Sequence, residues 1–249
     1  MASLSPELIF EIGGFPITNT VISTIIVDLV IIGLIIAFTK QLSIIPKGIQ
    51  RIFEPLLEYL YDTTLQIAGH KTLIIFPWFA SFFLFILLTN FIGLLPGFGS
   101  IGFWEVSSVH GETIRHLVPL LRAGTSDFNL TLALGFVSVV TTHIISIHYN
   151  GFLGYLGKFL SLNPINLFIG LLEFTLELVK VFSLSMRLFG NIYAGEVVLA
   201  TVGGLAAFIA PIPFLMLESI VAIVQALVFS MLTMVFMSLL ATTSKESGH

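Results

Sequence analysis

Cysteine is absent from the 249 residues, so neither a disulfide framework nor a thiolate metal site is open to this chain. Charge is scarce: 10% of residues are charged against 56% hydrophobic, where an ordinary soluble domain carries about 25% charged residues. The mean hydropathy is +1.05. The ten Lys and Arg residues are scattered and the net charge is −4, which removes the electrostatic footprint that a nucleic-acid partner requires. No Lys or Arg precedes Lys40, and no short apolar core ends in a small-residue cleavage site, so residues 1–14 do not read as a cleaved signal peptide. What remains is a chain expected to live in a lipid bilayer, as a single integral membrane domain over residues 1–249.

Crossing a hydrocarbon core of about 30 Å takes about 20 apolar residues as a helix. Five runs reach that length, at about 18–39, 73–95, 128–148, 164–207 and 211–242. At about 1.5 Å per residue the fourth is on the order of 60 Å long, so it is expected to tilt, kink or run past the membrane. Within residues 46–71, Ile49, Ile52, Phe53, Leu56 and Leu60 make one apolar face and Arg51, Glu54, Glu58 and Asp62 a charged one. That spacing predicts an amphipathic helix lying in the interface, with a water-facing helix packed on a partner as the alternative. The expected fold class is therefore an all-α membrane protein of five transmembrane helices plus one interfacial helix.

Lys40, Lys47, Arg51 and Lys71 fall between the first two runs. By the excess of cations on cytoplasmic loops, the N-terminus is outside and the C-terminus inside. Lys158 and Lys245 agree, whereas Arg115 and Arg122 lie in what is then an outer loop. Ser126 and Asp127 suit the cap of the third span, and Asn163 with Pro164 the start of the fourth.

An ionisable residue at mid-membrane costs from about 2.5 to more than 10 kcal/mol, and the fourth segment carries several. At about 100° per residue, Lys180, Ser183, Arg187 and Asn191 share one stripe, with Glu173 about 40° away. Gly190, Ala194 and Gly195 lower the helix surface beside Arg187 and would admit a neighbouring helix. Glu196 falls about 180° around from Arg187 and about 13 Å nearer the outside. On the fifth span Glu218 and Gln225 share a face. A hairpin through residues 208–210 would bring Gln225 level with Arg187 and Glu218 level with Glu196, leaving Glu173 and Glu177 toward the inside.

Arginine stays charged and cannot itself relay a proton, but it can attract a passing carboxylate and block leakage. Carboxylates can relay, and two close together do not both ionise cheaply. Lys180 has Glu177 or Glu173 to neutralise it, whereas Arg187 has no equally obvious partner on its own helix. Its negative group is therefore expected from another subunit. Mutual pairing of these charges to hold a bundle is the alternative. A secondary transporter would also suit polar helices near the midplane, but no inverted repeat is evident. A purely structural scaffold would not need Arg187 beside a small-residue groove.

The segment Ser183-Leu-Ser-Met-Arg187-Leu-Phe-Gly-Asn191-Ile-Tyr-Ala-Gly195-Glu196 resembles the signature of the subunit a family of F-type ATP synthases. Gln225-Ala-Leu-Val-Phe, Leu94-Leu-Pro-Gly97 and Thr125-Ser-Asp127-Phe-Asn129-Leu-Thr131 are similar to that family as well, and the likeness extends over roughly residues 17–242. The resemblance implies a stator whose last two spans form a long tilted hairpin against a ring of c subunits, with b-type peripheral stalk subunits and the rest of the synthase as partners. Arg187 then faces the ring carboxylate, Gln225 lies opposite it, and Asn191 and Ser183 line the path. Glu196 and Glu218 match the outer half-channel, and Glu173 the inner one. The resemblance implies no cofactor, no catalytic site of the chain's own, and a proton as the expected ion. A bacterial plasma membrane is the expected location, ahead of an organelle inner membrane.

Two features depart from the family's pattern. Relatives often place a histidine at one of the two outer positions, whereas both are Glu here. Asp28 sits at the centre of the first span, where a neutral or hydrogen-bonded structural role is expected. His143 and His148 lack a third ligand at metal-site spacing and read as interface histidines. His110 and His116 read as solvated loop residues, and Trp78 and Trp104 as interfacial anchors.

Overall fold

Lipid offers no partner to backbone N–H and C=O groups, so an apolar chain of this kind satisfies them within helices. In a computed structural model, residues 7–12, 15–40, 48, 50–95, 102–109, 112–119, 121–159, 164–205 and 210–242 are described. Among these residues six α-helices dominate: α1 (Asn19–Lys40), α2 (Gln50–Ala68), α3 (Thr72–Leu94), α4 (Phe128–Phe159), α5 (Pro164–Leu205) and α6 (Pro211–Leu240). Among the described residues four stretches are long and apolar enough to cross a membrane by length and composition: Asn19–Lys40, Phe53–Leu94, Phe128–Gly157 and Pro211–Leu240. Helix α5 is not among them; Glu173, Glu177, Lys180, Arg187 and Glu196 are spread along its length.

Two short antiparallel hairpins were not anticipated in an all-α chain. Strands β1 (Leu8–Ile12) and β2 (Phe15–Thr18) pair with an irregularity between Leu8 and Phe10. Strands β3 (Gly102–Val109) and β4 (Glu112–Pro119) pair in unbroken register from Gly102↔Pro119 to Val109↔Glu112. The second hairpin is rich in the β-branched and aromatic residues that favour strands, a local signal that the search for long apolar runs passes over. His110, Asn163, Lys47, Ile49, Lys245 and the turn residues 208–209 lie outside the described residues.

Breaks between helices follow local chemistry. Gly69 takes a positive φ of 54° between α2 and α3, a conformation that glycine adopts without a Cβ penalty, and the Thr72 hydroxyl donates to the Gly69 carbonyl at 2.6 Å. Before α4, the Asp127 carboxylate accepts the Asn129 N–H at 2.9 Å, satisfying one of the exposed donors of the helix start. Helix α4 does not stop at residue 148: Gly151, at φ 70°, breaks it, and a second helical segment continues to Phe159. Proline opens both α5 and α6, where its missing N–H is no loss.

The chain forms two compact units: Met1–Ala37, Leu84–Leu130 and Leu188–Ala226 in the first, and Phe38–Phe83, Thr131–Arg187 and Leu227–His249 in the second. In the first, α1 buries only Asn19, Thr20, Ser23 and Val27, a narrow polar edge. That edge holds the approach to α4: Thr20 donates to Asp127 at 3.1 Å, and Ser23 accepts the Arg122 N–H at 3.0 Å. Asn90 accepts from the Thr125 hydroxyl at 2.6 Å and donates to the Ala222 carbonyl at 3.4 Å.

In the second unit, hydroxyls join helices in the same way. Ser138 bonds Thr233 at 2.7 Å, and Ser185 donates to the Thr131 carbonyl at 2.9 Å. Ser146 and Asn150 both reach the Leu240 carbonyl, at 2.8 and 3.2 Å. Such interhelical bonds contribute about 0.6–2 kcal/mol each in lipid, where packing and polar contacts replace the hydrophobic drive. Around them pack Ile75, Phe79, Leu184, Met234 and Met237, all buried.

Candidate functional site

Helix α5 presents two different faces. Leu184, Ser185, Leu188, Ile192 and Gly195 are buried, whereas Ser183, Met186, Arg187, Gly190, Asn191 and Ala194 are exposed. Ser183, Arg187 and Asn191 follow one another at four-residue steps, so they form an uncovered polar stripe. Among the described residues Arg187 makes no ion pair and no side-chain hydrogen bond. Asn191 and Glu173, both exposed, likewise have no side-chain partner among the described residues. Arg187 is thus a permanent cation on an apolar helix, unpaired among the described residues, beside the exposed Gly190 and Ala194.

Within the first unit Glu196 and Glu218 have different surroundings. Glu196 is held by Arg122, whose Nε and Nη2 both donate to the same Glu196 oxygen, at 3.0 and 2.8 Å. The two side chains are 10% and 24% exposed for Arg122 and Glu196. Glu218 is buried, and its Oε1 has no hydrogen-bond partner among the described residues. Its carboxylate lies flat against Gly195, so close that a Cβ there would collide with it. Glycine at 195 is therefore what lets Glu218 reach α5. Gln225, two turns along α6 from Glu218, is half-buried and makes no side-chain hydrogen bond among the described residues.

The second unit holds a different cluster. Glu177 is buried, and Lys180 donates to its Oε1 at 2.6 Å, settling which acidic residue Lys180 neutralises. The ammonium of Lys180 also lies 4.3 Å from the centre of the Phe236 ring, a cation–π contact. His143 of α4 comes to 3.9 Å of Glu177 Oε2, and its Nδ1 lies 3.0 Å from the Tyr155 hydroxyl.

Residues 20–238 match the family model of the ATP synthase A chain. The chain belongs to that family. Proteins named ATP synthase subunit a are its relatives. That of Syntrophobacter fumaroxidans is 32% identical, covering 94% of this chain and 88% of its own length. That of Geotalea uraniireducens is 32% identical over 99% of this chain and 94% of its own. That of Moorella thermoacetica is 29% identical over 96% and 97%.

For a member of the ATP synthase A chain family, sequence reasoning gathered Glu196 with Glu218 but missed the cation on Glu196. Arg122 stood out only as a basic residue in an outer loop, and nothing in its spacing ties it to a carboxylate 74 positions later. His143, expected as an interface histidine, also comes near Glu177, a neighbour on another helix that its spacing does not reveal. The signal available in the sequence was the pair of ionisable residues itself, each on a long apolar run. Asp28 is exposed on α1 and makes no ion pair or side-chain bond among the described residues.

Proposed function

We propose that this chain is the proton-path stator of a rotary F-type ATP synthase, coupling proton flow to rotation of a ring of c subunits and so to ATP synthesis. The observation that carries it is Arg187: an exposed, unpaired cation among the described residues, on a polar stripe in an otherwise apolar helix. Such a group finds its compensation in a ring carboxylate passing in lipid, and its fixed charge keeps the two half-paths from joining. Asn191 and Ser183 extend the polar surface that the ring sees, and Gln225 is the second polar group of that surface.

On this reading a proton enters past Glu218 and Glu196, passes to the ring, and leaves past Glu177 and Glu173. Arg122 acts as the fixed counter-ion of Glu196, which leaves Glu218, buried and without a cation among the described residues, as the carboxyl that carries the proton. Five membrane crossings, with α5 and α6 as a tilted hairpin and α2 in the interface, complete the reading. The N-terminus lies outside and the C-terminus in the cytoplasm of a bacterium. The b-type stalk subunits hold the chain against rotation, and ATP chemistry takes place on other subunits.

Arg187→Ala tests this in inverted membrane vesicles carrying the assembled synthase. ATP-driven acidification, followed by quenching of a pH-sensitive dye, is expected to vanish while the amount of assembled complex is unchanged. Acidification at the normal rate would sink the stator reading.

A further inference from the structure

Residues twelve apart on an unbroken α-helix are separated by about 18 Å along the axis. His143 and Tyr155 are twelve apart, yet His143 Nδ1 and the Tyr155 hydroxyl are 3.0 Å from each other. The contact exists because Gly151, at φ 70° and ψ 161°, breaks α4 between them and turns the following segment back. A residue with a Cβ is strained at that φ, so a glycine at this position is what makes the approach possible.

On the other side of the imidazole, Nε2 lies 3.9 Å from Glu177 Oε2. That oxygen is buried and has no hydrogen-bond partner among the described residues, while its twin is taken up by Lys180 at 2.6 Å. Glu177 is 4% exposed. A buried carboxylate with one satisfied and one unsatisfied oxygen is costly to keep as mere packing. The remaining charged neighbour, Lys180, rests on the Phe236 ring of α6. His70, Lys71 and His148 gather instead around Tyr149, with centroid or ammonium distances of 6.5, 5.7 and 5.5 Å for His70, Lys71 and His148.

We propose that Glu177, His143 and Tyr155 form a proton relay, in which the imidazole hands protons between the buried carboxyl and the half-exposed hydroxyl beyond Gly151. The proposal rests on the stator reading and names the residues that serve its inner path. In the outward step the Glu177 O–H bond breaks as a bond forms from Nε2 to the proton. The Nδ1 proton then passes to the Tyr155 oxygen as the hydroxyl's own proton leaves to water. One proton moves and nothing is oxidised; the starting tautomer returns when the part-exposed imidazole gives its Nε2 proton to water and takes one from water at Nδ1. The 3.9 Å gap closes by rotation of the Glu177 carboxylate, whose terminal torsion is broad. Lys180 is the fixed charge that positions Glu177, and Gly151 the break that positions Tyr155.

ATP-driven pumping by assembled complexes, measured from pH 5.5 to 8.5, tests the relay. His143→Gln and Tyr155→Phe are each expected to lower the pumping rate at least about tenfold, short of the 10²–10⁴ typical for loss of a proton-transfer group because water partly substitutes. His143→Gly is expected to recover pumping when imidazole is added, a rescue that a structural role would not give. Normal rates and an unchanged pH profile in both variants, or no rescue of His143→Gly by imidazole, would overturn the relay. So would failure of Tyr155→Phe to assemble, since that change removes only a hydroxyl. Arg187→Ala is run alongside: lost pumping there with normal relay variants removes the relay alone, whereas retained pumping in Arg187→Ala removes the stator reading.

Discussion

Replacing Arg122 by Gln strips Glu196 of the two guanidinium bonds at 2.8 and 3.0 Å while keeping a side chain of similar length. With Arg122 10% and Glu196 24% exposed, the pair is largely out of water. Removing one partner of a buried pair costs about 3–5 kcal/mol, because the other charge is left uncompensated. A quarter of the Glu196 side chain still meets solvent, which places this pair near the lower end, at about 3 kcal/mol. That corresponds to about a hundredfold in an equilibrium constant. Neutralising both groups removes the stranded charge, so Arg122→Gln combined with Glu196→Gln is expected to lose about 1 kcal/mol or less. The coupling energy from the double-mutant cycle is then about 2 kcal/mol or more. The assay is retention of this chain in the detergent-solubilised complex against increasing denaturant, for the two single variants, the double variant and the parent. If the single effects simply add in the double variant, the pair contributes nothing and the reasoning fails.

Two further outcomes follow from the same geometry. Gly195→Val places a side chain on the Glu218 carboxylate; overpacking of this kind costs about 1–3 kcal/mol. ATP-driven pumping is expected to fall at least about tenfold by that displacement, with partial recovery when Glu218→Asp shortens the opposing side chain, as measured by dye quenching in vesicles. Asp127→Ala loses both the cap on Asn129 and the bond from Thr20; at about 1 kcal/mol for each, a loss of about 2 kcal/mol is expected in the same denaturant assay, with Asp127→Asn much closer to the parent.

Legibility in the sequence tracked the range of the interaction. The Asp127 cap was readable because a helix start and its capping side chain are two residues apart. Lys180 could be assigned to a carboxylate on its own helix for the same reason, although the choice between Glu173 and Glu177 needed the structure. That Arg187 lacks a partner on its own helix was visible from spacing alone. Its exposure was not, because that depends on which face of α5 the rest of the chain covers. The hairpin β3–β4 went unseen because strand signals over eight residues are faint beside apolar runs of twenty.

The sequence by itself determined that this chain belongs in a membrane, that α5 carries ionisable residues along an apolar run, and that Arg187, Asn191 and Ser183 share a stripe. Composition and helical period decide those points, and both are local. Only the tertiary structure decided that Arg122 reaches Glu196, that Gly195 makes room for Glu218, and that the break at Gly151 returns Tyr155 to His143. Each of these joins side chains that one helix's periodicity cannot relate. In a bilayer, where apolar faces are interchangeable, it is such close approaches and polar contacts that select one packing over another.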